Sequence, residues 1–170
     1  GAVFVPLNVD YRGSILGHAI RESTARVLVV HPQLVERLDV LDHLSLDKVL
    51  CIGAAPELEK HAIPVIATNL QCVGEPQAAA APVNAWDLQM VIFTSGTTGP
   101  SKGVMCPYLH MWSTGQATYG YMGPDDCMLV ELPAFHVGGV APVMAGLTAR
   151  ARIAIFQGFI NDIGFHWFSC

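Results

Sequence analysis

Charge is scarce in this chain. Asp, Glu, Lys and Arg make up only 14% of its 170 residues, Lys and Arg number nine, and the formal net charge is −5. Nucleic-acid binding rests largely on neutralising phosphates with a basic surface, so this composition argues against that class. The sequence also has no internal repeat, low-complexity tract or run of like charge. Its five cysteines (Cys51, Cys72, Cys106, Cys127, Cys170) are odd in number, scattered and free of Cys-x-x-Cys spacing. A disulfide framework and a zinc finger are therefore both poorly supported, and a reducing, cytoplasmic setting is the default. Cys106 and His110 stand four apart, but zinc sites take three or four protein ligands. The pair reads as packing, and no metal is expected on these residues.

Membrane spans are wanting too. Charged side chains are absent between Val104 and Asp125 and across Leu132–Ala149. The first stretch carries His110, Ser113, Thr114, Gln116 and Thr118. The second contains Pro133, His136, Gly138-Gly139 and Pro142, and only just reaches spanning length. Buried core elements explain both. No signal-peptide pattern is visible in the first residues. Gly1 is not an initiator Met, and the apolar run Ala2–Val5 predicts a start in the middle of a domain, with removal of a tag or leader as the alternative.

What is abundant is apolar: hydrophobic residues reach 52%. Strands covered on both faces by helices read as continuous apolar runs and account for this. The pattern predicts a short strand in Gly1–Asn8 ended by Pro6, a helix over Arg12–Ser23 with Ser14 as N-cap, and a strand over Arg26–Val30. Together these have the length of a βαβ unit. A polar helix from His31-Pro32 to about Asp42 follows, then strands at Lys48–Ile52 and Ile63–Ala67. His31, His43 and His61 read as surface or capping histidines. Gln71–Trp86 reads as a connector. Later come a strand over Leu88–Phe93, an extended Val104–Cys106, a helix over Leu109–Tyr119, a strand over Cys127–Leu132, a helix from Gly139 to Leu147 ending near Arg150, and a strand over Arg152–Phe156.

One stretch carries chemistry. After the apolar run Leu88–Phe93 come Thr94-Ser95-Gly96-Thr97-Thr98-Gly99-Pro100-Ser101-Lys102-Gly103-Val104. Glycines let backbone N–H groups approach an anion closely, and successive amides in such a turn form an anion-binding nest. Hydroxyls add neutral donors, and Lys102 adds a mobile point charge. All of this suits a polyphosphate. The Walker order G-x-x-x-x-G-K-[ST] does not fit, because Ser101 precedes Lys102 and Gly103 follows it. The bland alternative is a turn of small residues joining two strands.

From Val91 to Lys102 the sequence resembles the phosphate loop of the AMP-forming adenylating enzymes: acyl- and aryl-CoA synthetases, luciferases and peptide-synthetase adenylation domains. Pro usually stands directly before the Lys in that family, whereas Ser101 intervenes here. Two other segments share the resemblance: Gly1–Asn8 with the Arg12-Gly13 helix, and Leu132-Pro133-Ala134-Phe135-His136. Phe159–Cys170 weakly resembles a further aromatic helix. The resemblance implies an α/β fold, part of a large N-terminal domain whose mostly parallel sheet is flanked by helices, incomplete at both ends. It implies that Thr94, Ser95, Gly96, Thr97, Thr98, Gly99 and Lys102 hold the β- and γ-phosphates of ATP. It also implies that His136 borders the substrate and nucleotide pocket; the bland reading there is a core histidine satisfied by backbone.

The implied reaction converts a carboxylic acid, ATP and CoA to acyl-CoA, AMP and pyrophosphate through an acyl-adenylate. Residues 1–170 match only a slice of the AMP-binding domain. The family's Thr-Glu motif for Mg²⁺, its ribose-binding acidic residue, its hinge and its C-terminal lid with the catalytic Lys find no match. Tyr119-Gly120-Tyr121-Met122-Gly123 is a decoy for the first of these, with Met122 and Gly123 where Thr and Glu would stand. No catalytic set is complete, the Mg²⁺ ligand is expected elsewhere, and the 170 residues alone are expected to be inactive. A stand-alone, non-catalytic nucleotide-binding module and a piece of a peptide-synthetase adenylation domain are the alternatives.

Overall fold

β-Branched residues dominate three short runs in the first half of the chain, and these pair side by side as parallel strands. They are β1 (Val27–Val30), β2 (Lys48–Ile52) and β3 (Val65–Thr68), with Val27 opposite Lys48 and Val49 opposite Val65. The computed structural model describes residues 2–43, 46–53, 63–69, 81–94 and 100–156. They fall into two units, and the β1–β2–β3 sheet belongs to the one formed by Leu7–Ala80 and Thr94–Gly103.

In that unit α1 (Gly13–Ser23) buries Leu16, Gly17, Ala19 and Ile20, one face at helical spacing. Leu16 and Ile20 join Val30, Val35, Leu38, Val49 and Cys51 in a single core. Ser14 is not the cap. The helix begins at Gly13, so Ser14 lies inside the first turn, and Arg12 caps in extended conformation without a side-chain bond. Thr24 ends α1 with φ 51°, its N–H donating to the Arg21 carbonyl. The expected polar helix after His31 is a 3₁₀ segment, Pro32–His43. Pro32 has no N–H to give, and Leu34 N–H closes a three-residue bond on the His31 carbonyl at 2.9 Å. His31 does cap: its Nδ1 accepts the Gln33 N–H at 3.3 Å. β3 starts later than Ile63 because Pro64 lacks a donor; its carbonyl still accepts Val49 N–H at 2.9 Å.

The other unit comprises Gly1–Pro6, Ala81–Phe93 and Val104–Cys170. Here β4 (Leu88–Phe93) pairs with β5 (Gly103–Pro107), whose first residue belongs to the former unit. The N-terminal run makes a parallel bridge, Phe4 with Met90, and among the described residues no βαβ unit with β1. Phe4 N–H donates to Gln89 O and Val91 N–H to Phe4 O, both at 3.0 Å. Pro6 cannot donate and limits further pairing. A parallel βαβ unit does form later, from β6 (Cys127–Val130), α3 (Val137–Ala149) and β7 (Arg152–Ile155).

Helix α2 (Tyr108–Tyr119) follows Pro107, and its first amides are satisfied from outside the helix. Tyr108 N–H donates to Asp87 O at 3.1 Å and Leu109 N–H to Ala85 O at 2.7 Å. Helix α3 contains Gly138, Gly139, Pro142 and Gly146, poor helix formers, so packing must hold it. A Cβ on Gly146 would stand 2.7 Å from Ile153 Cγ1, and one on Gly115 of α2 would stand 3.3 Å from the Ala145 backbone nitrogen. The small residues thus let α3 lie against both β7 and α2. Met90, Ile92, Cys106, Met111 and Val140 fill one core cluster, and Met128, Val130 and Ala145 a second. Phe159–Cys170 lies outside the described residues, as do 71–80 of the expected connector.

Candidate phosphate loop and the His136 segment

Strand β4 ends in buried Ile92 and Phe93, and Thr94 is the first exposed residue after them. Its backbone N–H donates to the Lys102 carbonyl at 3.0 Å. Its hydroxyl accepts the Lys102 N–H at 3.3 Å and lies 3.4 Å from the same carbonyl, towards which it donates. Thr94 and Lys102 therefore close the neck of the Gly/Ser/Thr loop from both sides. Ser95, Gly96, Thr97, Thr98 and Gly99 lie outside the described residues.

Lys102 is exposed, and its ammonium is in no ion pair among the described residues. The ion pair present there joins Arg26 to Asp47 at 2.7 Å. On the other limb of the loop the Ser101 carbonyl lies 2.9 Å from Nε2 of His18, on α1. A carbonyl can only accept, so the ring must carry its proton on Nε2. His18 drew no notice in the sequence: its partner is 83 positions away, and no local pattern reports such a contact.

In the other unit His136 is the N-cap of α3, with φ −115° and ψ 142°. Its Nδ1 accepts the Gly138 N–H at 3.0 Å, which leaves Nε2 to carry the proton of the neutral ring. Its own N–H donates to Pro133 O at 3.0 Å, and its carbonyl receives Gly139 N–H at 2.9 Å. The ring is exposed. His136 is thus bonded to backbone, as the bland reading held, but it is no core histidine. Gly139 is what lets α3 begin so close to the Leu132-Pro133 turn, since a Cβ there would strike both carbonyl oxygens.

Cys106 and His110 share no helix face. Cys106 is buried in β5, its thiol 3.5 Å from the Val104 carbonyl, and His110 is exposed in the first turn of α2. Burial pushes the Cys106 thiol up from its ordinary pKa, against a smaller opposing effect of backbone hydrogen bonding at Ile92. Among the described residues no three His, Cys, Asp or Glu gather into a metal-binding group. Tyr119 to Gly123 forms the turn after α2, with Met122 N–H on Tyr119 O at 3.0 Å and Gly123 N–H on the Asp126 carboxylate at 2.7 Å.

The chain is similar to the 2-succinylbenzoate–CoA ligase of Bacillus cereus strain AH820, 29% identical over 150 residues. These are 85% of this chain but 31% of that protein, so the chain spans about a third of the length of the curated relatives it matches. Its backbone resembles the anthranilate CoA ligase AuaEII in complex with anthranoyl-AMP, with a TM-score of 0.74 at 19% identity over 98% of this chain and 32% of that one. It also resembles apo MatB from Rhodopseudomonas palustris, with a TM-score of 0.71 at 24% identity and the same coverage. The fold is the α/β adenylate-forming fold, parallel strands with helices. A family model described as AMP-binding enzyme matches residues 1–169, and this chain belongs to that family.

Proposed function

We propose that the chain is the phosphate-loop part of an AMP-forming acid–CoA ligase. The carboxylate of the acid would attack the α-phosphorus of ATP and release pyrophosphate. CoA would then take the acyl group and release AMP. The observation that carries this reading is the closed neck of Thr94 and Lys102, which presents a lysine without a carboxylate partner among the described residues, beside a stretch of seven glycines and hydroxyl residues, Ser95–Gly99, Ser101 and Gly103. A neck closed by backbone bonds fixes where the loop begins and ends, so its amides and Lys102 can be set against phosphate oxygens in advance.

Each residue has a role in this reading. Lys102 would neutralise charge on the β- and γ-phosphates, and Ser95, Gly96, Thr97, Thr98 and Gly99 would supply hydroxyl and backbone donors. Thr94 contributes through the neck, its hydroxyl engaged with Lys102. His136 would border the substrate pocket and offer its Nε2–H as a neutral donor. Adenylyl transfer from ATP ordinarily draws on Mg²⁺, but the described residues form no cluster that would hold that ion. Its ligands, like the lid and its catalytic lysine, belong to parts of the family pattern without a match in these 170 residues.

ATP–pyrophosphate exchange is the test. The 170-residue chain alone should show none with any carboxylic acid, and robust exchange would refute the claim that essential groups lie outside it. A longer protein carrying this segment should exchange, and Lys102→Ala should cut that exchange.

A further inference from the structure

Resting on the reading of 94–102 as a phosphate loop, we infer that His18 is a positioning residue for Lys102. The imidazole Nε2–H donates to the Ser101 carbonyl at 2.9 Å. His18 is half-buried and sits on a well-anchored helix: its neighbours Leu16, Gly17, Ala19 and Ile20 are buried in the core beneath the β1–β2–β3 sheet. Among the described residues the Ser101 side chain offers no other hold, its hydroxyl being buried without a partner there. The next residue is Lys102, whose N–H and carbonyl are both bonded to Thr94.

Lys102 is therefore fixed by Thr94 across the neck and by His18 through the preceding peptide. An exposed lysine on a four-carbon stem loses much freedom when it meets phosphate, and fixing its backbone beforehand reduces that cost. Ser101 leaves free a φ that a proline would fix, and the histidine supplies the restraint from a distant helix.

The measurement is the affinity of the chain for ATP and for inorganic tripolyphosphate, by calorimetric titration, in four proteins. These are the unchanged chain, His18→Phe (ring kept, donor lost), His18→Gln (donor kept at similar reach) and Lys102→Ala. His18→Phe should weaken both ligands by about 3- to 10-fold, the worth of one hydrogen bond. It should also speed amide exchange at Thr94 and Lys102. His18→Gln should stay within about 2-fold of the unchanged chain, a rescue that a purely structural role for the ring would not give. If His18→Phe fails to fold, His18→Asn, whose amide stops short of Ser101, replaces it with the same expectation. Equal affinities for His18→Phe and the unchanged chain, with Lys102→Ala weakened, overturn the role of His18 alone. Equal loss in His18→Phe and His18→Gln does the same. No tripolyphosphate binding by the unchanged chain, or none lost in Lys102→Ala, overturns the phosphate-loop reading itself.

Discussion

Gly138 and Gly139 stand side by side in the first turn of α3, and alanine at each should act very differently. Helix propensity treats them alike: Gly to Ala gains about 1 kcal/mol at either position. Space does not. At Gly138 a Cβ meets the terminal Cδ1 of Leu132 at 2.6 Å and Nδ1 of His136 at 3.1 Å. The Leu132 methyl can turn away, so Gly138→Ala should lie within about 1 kcal/mol of the unchanged chain. At Gly139 the new atom lands on the carbonyl oxygens of Leu132 and Pro133 and 2.6 Å from the Pro133 carbonyl carbon. That obstacle is main chain and cannot rotate aside. An overpacking cost at or above the top of the usual ~1–3 kcal/mol range outweighs the propensity gain, for a net loss of about 2 kcal/mol or more. The melting temperature should then fall by roughly 4–8 °C for a chain of this size. Urea denaturation of both variants is the assay, read as a change in midpoint at constant slope. A Gly139→Ala chain as stable as Gly138→Ala would refute the claim that close approach to the Leu132-Pro133 turn explains this glycine.

Three further outcomes are expected. Thr24, a β-branched residue at φ 51°, strains the end of α1, so Thr24→Gly should stabilise by about 0.5–1 kcal/mol in the same denaturation assay. His136→Ala removes the acceptor of the Gly138 N–H and should destabilise by about 1 kcal/mol, with His136→Asn restoring most of it. The Cys106 thiol is pushed up by burial, so folding favours its protonated form. That contribution is complete below the ordinary thiol range near ~8.5 and disappears as pH rises through the higher folded value. Urea midpoints of the unchanged chain should therefore fall more steeply above that range than those of Cys106→Ala.

Elements with a strong local signature were visible in the sequence. β2 matches its expected bounds because Lys48–Ile52 is an uninterrupted apolar run after its first residue, and α1, α2 and α3 follow their apolar spacing to within about two residues. What the sequence did not show depends on partners. Whether Phe4 pairs with β1 or β4 depends on which strand is spatially adjacent, and the bridge goes to Met90. The 3₁₀ turns after Pro32 and the unused Ser14 reflect local backbone choices that propensity ranks almost equally. At the loop, the residue types Gly, Ser, Thr and Lys suit an anion. The commitment of the Thr94 hydroxyl to Lys102 did not appear in them, nor did the bond from His18. Both depend on where the chain returns after the loop, which composition does not encode.

The proposed phosphate loop is tested most directly by ATP affinity of the chain with and without the Lys102 ammonium. A charge-assisted hydrogen bond is worth about 1.5–3 kcal/mol, so Lys102→Ala should raise the dissociation constant for ATP roughly 10- to 150-fold. Thermal stability should barely change, because this exposed side chain is in no ion pair among the described residues. Unchanged ATP affinity in a folded Lys102→Ala chain would contradict the assignment of 94–102 to the nucleotide's phosphates.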